Sequence, residues 1–118
     1  MKIYLICSVR NADSASKKEA DAYVVQLESK GHTVHYPPRD VDQTDDGIGF
    51  NICNTHRKAI IECDEVHVLW NKESIGSHFD FGMAFALNKK IVVANGIERS
   101  KNKSYGNVLL FMSNSINT

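Results

Sequence analysis

The chain has little of what usually marks a specialised site. Its three cysteines, Cys7, Cys53 and Cys63, make no CxxC pair and no metal-ligand spacing. They read as small core side chains of a protein in a reducing compartment. The five histidines, His32, His35, His56, His67 and His78, form no HExxH-type pair, so neither a metal nor a cofactor is expected. Neither sign of charge is in excess: Lys plus Arg number 14, and so do Asp plus Glu. Nucleic-acid polymers and membrane surfaces both reward a basic excess, so neither is expected as a partner. A small charged ligand is not excluded. No apolar run approaches the roughly 20 residues of a membrane-spanning helix. Lys2 to Cys7 is too short for the apolar region of a signal peptide, and a cytoplasmic location is expected. There are no internal repeats and no low-complexity segments. With 118 residues, positions 1–118 form one domain around one core.

What is present is an alternation of strands and helices. Ile3 to Cys7 reads as the first, central strand. Ser14 or Ser16 can cap a helix whose stripe is Ala20, Tyr23, Val24 and Leu27, and Gly31 ends it. Thr33 to Tyr36 is a second strand, stopped by the only two prolines, Pro37 and Pro38. A polar loop runs from Arg39 to Gly49. Phe50 to Cys63 is a helix with Ile52, His56, Ala59, Ile60 and Cys63 on one face. Glu65 to Trp70 is a third strand, with Val66, Val68 and Trp70 facing one way and His67 and Leu69 the other. After a loop from Asn71 to Gly76, a helix from His78 to Asn88 leads to a fourth strand, Ile91 to Ala94. Val108 to Met112 fits either a helix capped by Ser104 or a fifth strand. The pattern implies an α/β fold: a Rossmann-/flavodoxin-like three-layer sandwich with a parallel sheet of four or five strands, order 2-1-3-4. The helix from 78 to 88 is apolar almost all round and needs cover on its outer face. A second copy of the chain would supply it, as a homodimer or higher homo-oligomer.

The topological switch point of such a sheet lies between strands 1 and 3, and brings Ser8 to Asn11 beside Asn71 to Asp80. Ser8 forms one wall. Arg10, at a strand's carboxyl end, fits either a phosphate or carboxylate ligand or plain solvent. Gly76 and Ser77 stand where helix N–H groups favour an anion. Asp80 has two readings. It completes a capping box, with Ser77 as cap and Asp80 three positions on, or it is a reactive carboxylate. The Arg39 to Gly49 loop carries Asp40, Asp42, Asp45 and Asp46 without EF-hand spacing. It is either solvated or a flap in which Arg39, Asp40 or Asp42 touches ligand. His56 is either a satisfied, half-buried histidine or a site residue, and Asn54 and Arg57 flank it. His67, in mid-strand, reads as structural.

The segment Ser74 to Ile91, of the form Ser-Ile-Gly-x-x-x-Asp-x-Gly-x-Ala-x-Ala-x-Asn-Lys-x-Ile, resembles the nucleoside 2-deoxyribosyltransferase superfamily, and within it the 2'-deoxynucleoside 5'-monophosphate N-glycosidase branch. Ile6 to Arg10, Ile-Cys-Ser-Val-Arg, is similar to that branch's first-strand motif, and Cys63-Asp64 fits the family's turn before the third strand. The resemblance implies cleavage or transfer at the N-glycosidic bond of a nucleoside or nucleoside 5'-monophosphate. A carboxylate at the helix start would attack the anomeric carbon. Asp80 stands at the position of the family's glutamate nucleophile. His56, with Asn54 nearby, stands at that of its acidic partner. Ser8, Arg10, Asp40, Asp42, Asn54, Arg57, Gly76 and Ser77 are the expected substrate contacts, and no metal is implied. The alternative is a non-catalytic module of the same fold that senses or sequesters a nucleotide.

Overall fold

The computed structural model describes residues 1–9, 12–44 and 47–116, with side chains through Ser113. Arg10, Asn11, Asp45 and Asp46 lie outside the described residues. Four parallel strands form the sheet: β1 (Lys2–Ile6), β2 (Thr33–His35), β3 (Glu65–Val68) and β4 (Lys90–Val93), in the order β2-β1-β3-β4. The helices are α1 (Ser14–Ser29), α2 (Pro37–Asp40), α3 (Phe50–Glu62), α4 (Ile75–Ala86) and α5 (Tyr105–Ile116). The expected α/β sandwich and strand order are therefore those of the protein. Residues 108–112 are helical, and Ser104 Oγ accepts from Asn107 N at 3.1 Å to start that helix. Among the described residues the sheet has four strands.

Strand alternation sorts the core into two layers. Tyr4 and Ile6 of β1 and Val66 and Val68 of β3 face Ile60 and Cys63, Phe81 and Ala84, and Leu109, from or beside α3, α4 and α5. Ile3, Leu5 and Cys7 face the other way, onto Ala20, Val24 and Leu27 of α1. The register aligns Tyr4 with His35 on β2 and with Val66 on β3, which in turn faces Ile91 on β4.

The helix boundaries shift where a neighbouring side chain makes a better cap. Asp13, rather than Ser14 or Ser16, caps α1, and its Oδ1 accepts from Ser16 N at 2.7 Å. Gly31 follows the C-cap with φ +91°, a conformation that glycine adopts without strain. The two prolines do more than end β2. They open the short α2, where a missing N–H costs nothing. At the far end of the sheet Lys89 Nζ donates to the carbonyls of Ile61 and Cys63, both at 2.8 Å, tying the end of α3 to the turn after α4.

His67 is satisfied within the α1 side of the core. Its Nε2 bonds Glu65 Oε1 at 2.9 Å, its Nδ1 pairs with the Tyr23 hydroxyl, and Lys90 Nζ reaches Glu65 Oε2 at 3.0 Å. The neutral imidazole meets both partners, with Nε2–H as donor and Nδ1 as acceptor. Burial lowers the His67 pKa against the pull of Glu65. No helix among the described residues is long and apolar enough to cross a membrane.

Candidate active site

α4 starts three residues earlier than its sequence suggests. Asn71 Oδ1 accepts from Glu73 N at 2.9 Å, and Ser74 N bonds Asn71 O at 3.0 Å, so a turn closes directly after β3. That turn delivers Ser74 as N-cap, with its Oγ accepting from Ser77 N at 3.2 Å. The capping box on Ser77 is thereby corrected. Asp80 falls in the second turn, beyond the free N–H groups of the helix end. It belongs to the buried stripe Ser77, Asp80, Phe81 and Ala84, the i, i+3, i+4, i+7 face that meets the sheet.

A carboxylate on that face needs partners, since burying one unpaired is costly. Asp80, only 6% exposed, has two of them. The Tyr4 hydroxyl donates to Oδ2 at 2.9 Å, and His56 Nδ1 lies 3.2 Å from Oδ1. An ionised carboxylate only accepts, so His56 donates from Nδ1 and turns Nε2 away from it. Burial, and then the nearby Asp80, push the Tyr4 phenol far above its ordinary pKa and keep it a donor. Burial likewise pushes the Cys7 thiol up to about 12, with Asp80 and Asp21 adding to the effect.

His35, at the end of β2, stacks on the Tyr4 ring with centroids 5.3 Å apart and an interplanar angle of 12°. His56 meets the same ring edge-on at 6.0 Å and 64°. Burial lowers the His35 pKa, against the opposing pull of Asp40 and Asp80. The site is thus one carboxylate, one phenol, two imidazoles and the Ser77 hydroxyl, drawn from β1, β2, α3 and α4.

The structure brings Asp80, His56 and Ser77 together. The other expected residues are placed elsewhere. Ser8 Oγ accepts from Asn71 Nδ2 at 3.0 Å, bridging the carboxyl ends of β1 and β3. Both line a cleft of about 550 Å³, with Trp70, Lys72, Asn95 and Arg99, and Asp80 does not open into it. Arg10 lies outside the described residues. Gly76 is exposed in the first turn of α4. Asn54 Oδ1 accepts from Arg57 Nη2 at 2.7 Å, and both line a shallow recess with Phe50, Cys53, Phe79 and Met83 on the outer side of α3 and α4. Asp40 holds its own turn: it accepts from Tyr36 N at 2.8 Å and pairs with Arg39 at 2.7 Å. Asp42 Oδ1 accepts from Thr44 N at 2.9 Å in an exposed turn. Tyr4 and His35 are the site groups that sequence reasoning missed. The signal for Tyr4 was a hydroxyl inside an otherwise apolar strand; for His35 it was an imidazole at a strand's carboxyl end. Among the described residues no group of three or more His, Cys, Asp or Glu side chains is placed to hold a metal ion.

No protein-family model and no curated protein matches the sequence. Solved structures do match. The CMP N-glycosidase BcmB of Clostridium botulinum superimposes with a TM-score of 0.64 at 23% identity, over 97% of this chain and 84% of that one. The 2-deoxyribosyltransferase of the psychrotolerant bacterium Bacillus psychrosaccharolyticus gives a TM-score of 0.69 at 18% identity, over 84% of this chain and 77% of that one. The chain has the fold of the nucleoside 2-deoxyribosyltransferase superfamily. At these identities the superfamily likeness is one of architecture, and the chemistry of Asp80 has to be read from its own surroundings.

Proposed function

We propose that the protein cleaves or transfers the N-glycosidic bond of a nucleoside or nucleoside 5'-monophosphate, with Asp80 as the nucleophile. The observation that carries this reading is the environment of Asp80. It is an acid on the sheet-facing side of a helix, off the capping position, held by Tyr4 and His56. Two solved structures of the same fold are named for related chemistry, one for cleaving CMP and one for deoxyribosyl transfer.

An Asp80 oxygen attacks C1' of the sugar as the C1'–N bond breaks, and the electron pair of that bond leaves with the base. His56, protonated on Nε2, gives that proton to the departing base. Water, or an acceptor base, then attacks C1' of the glycosyl ester, and His56 takes up the proton released. Aspartate is one methylene shorter than the family's glutamate, but here it reaches the sheet, because Tyr4 bonds it directly. Ser8, Arg10, Asp40, Asp42, Asn54, Arg57, Gly76 and Ser77 remain proposed substrate contacts, with Gly76 and Ser77 at the helix start favouring a phosphate.

α4 also leaves Ile75 86%, Phe79 54% and Phe85 57% exposed. We assign this apolar face to a second copy of the chain. Sedimentation should show a dimer or larger species that Phe79→Glu dissociates.

The deciding experiment offers ribo- and deoxyribonucleosides and their monophosphates, with and without a free acceptor base, and follows the bases by chromatography. Release or exchange that disappears in Asp80→Asn supports the reading, with exchange alone marking a transferase and release alone a hydrolase. The second reading is nucleotide binding without chemistry, favoured by an imidazole where the family has an acid. It would appear as thermal stabilisation by nucleotides without turnover.

A further inference from the structure

The cleft of about 550 Å³ lies over the carboxyl ends of β1, β3 and β4, between α1 and the start of α5. α1 and α4 leave those strands to opposite faces of the sheet, and the crevice so formed is where open parallel sheets bind ligands. Its size suits a small molecule. Asp80, His56, His35 and Tyr4 take no part in its walls.

Three sets of side-chain bonds fix the shape of the cleft. The Ser8 and Asn71 side chains bridge β1 to β3. Asn95 accepts from Trp70 N at 2.8 Å and donates to Trp70 O at 3.0 Å, joining β3 to β4. Asn107 of α5 holds the loop that follows β4. Its Oδ1 accepts from Ser100 N at 2.9 Å, and its Nδ2 donates to the carbonyls of Ser100 and Asn102, both at 3.0 Å. Walls held in place in advance lower the ordering cost of binding.

The lining has an apolar floor and a charged rim. Leu69, Trp70 and Ile97 supply the floor, the first buried and the other two half-buried. Two cations stand around it, Lys72 after β3 and Arg99 after β4, with two acids, Glu19 on α1 and Glu98 beside Arg99. All four are exposed, and none forms an ion pair among the described residues. An inorganic anion would meet the acids as well as the cations and leave the floor uncovered. A purely apolar ligand would leave the four charges unused. A molecule with an apolar body, one carboxylate and one ammonium group matches floor and rim together.

We propose that this cleft binds a small zwitterion with an apolar side chain, of the class of the aromatic and branched α-amino acids. Lys72 and Arg99 take the carboxylate, Glu19 and Glu98 take the ammonium group, and the side chain lies on Trp70. The Arg99 guanidinium can offer its fork to both carboxylate oxygens. This goes beyond the N-glycosidic reading and does not rest on it, because none of the groups that hold Asp80 is involved.

The test is calorimetry on the full chain with L-tryptophan, L-phenylalanine and L-leucine. Two analogues of phenylalanine, 3-phenylpropionate and phenethylamine, each lack one of the charges. The expected result is saturable binding of at least one amino acid, one per chain, with both analogues bound about tenfold or more weakly, the factor that a hydrogen bond to a charged group supplies. Arg99→Gln and Glu19→Gln change exposed side chains, and each should weaken the amino acid by a similar factor. No saturable binding of any of the three amino acids overturns the proposal. So does 3-phenylpropionate bound as tightly as phenylalanine, which would make the cleft an anion site, and so does binding that neither substitution weakens. CMP is titrated alongside: binding of CMP that is lost in Arg99→Gln would give the cleft to the nucleotide instead.

Discussion

Tyr4 and Asp80 stand 76 residues apart in the chain and 2.9 Å apart in the interior. The first strand thus sets the direction of the carboxylate on α4, and a hydrogen bond to a charged group contributes about 1.5–3 kcal/mol. Tyr4→Phe removes that bond and leaves the ring. Base release should fall roughly 10–100-fold, with a loss of about 1–3 kcal/mol in unfolding free energy. Stability lost without any change in turnover would make Tyr4 a core residue only. Asp80→Asn should be inactive and folded.

Ser74 and Ser77 should respond in opposite ways to truncation. Ser74→Ala removes the cap of α4 and should cost about 1 kcal/mol in urea unfolding. Ser77→Ala deletes a buried hydroxyl that has no partner among the described residues, and should leave stability unchanged or slightly higher. The reverse result would restore Ser77 as the cap.

Stability should fall as the solution is acidified. His35 and His67 titrate below their ordinary 6.5 in the folded protein because burial penalises their charged forms. Below that value the unfolded chain binds protons that the folded chain refuses, so stability present above it is lost as the pH falls. Burial would raise Glu65, but its bonds to His67 and Lys90 outweigh this and hold it low, which adds a further loss below 4.5. Melting temperatures at about pH 7.5 and about pH 5.5 should differ, and His67→Gln should narrow the gap.

Native thiol labelling should find Cys53 alone. Cys7 and Cys63 are buried and free, and burial raises both pKa values, Cys7 to about 12. Cys53 lines the recess between α3 and α4 and is reachable from solvent. The thiolate is the nucleophile, so iodoacetamide near neutral pH should add mass at Cys53 only until the protein unfolds.

The layers of this fold were legible because apolar strands of four or five residues alternate with amphipathic helices, and that pattern admits few topologies. The meeting of Asp80 and His56 was legible only through the family resemblance, which matched Asp80 to the nucleophile and His56, on the preceding helix, to its acidic partner. The start of α4 was not. Ser74 and Ser77 each look like a cap, Asp80 completes a box with the second, and only the turn built by Asn71 decides between them. Tyr4 and His35 escaped notice for another reason. Their roles depend on a partner far along the chain and on cross-strand register, and neither leaves a local trace.

β1 is hydrogen-bonded along both edges, to β2 and to β3. The residue that bonds Asp80 therefore rides on one of the two inner strands, each paired on both sides and less able than the edge strands to open by itself. Under the proposed role of Asp80, edges and termini can fray while base release survives, and gentle loosening does not switch it off. Across a urea series, base release and the slowest-exchanging amides of the sheet should vanish together, with no inactive native-like stage between them.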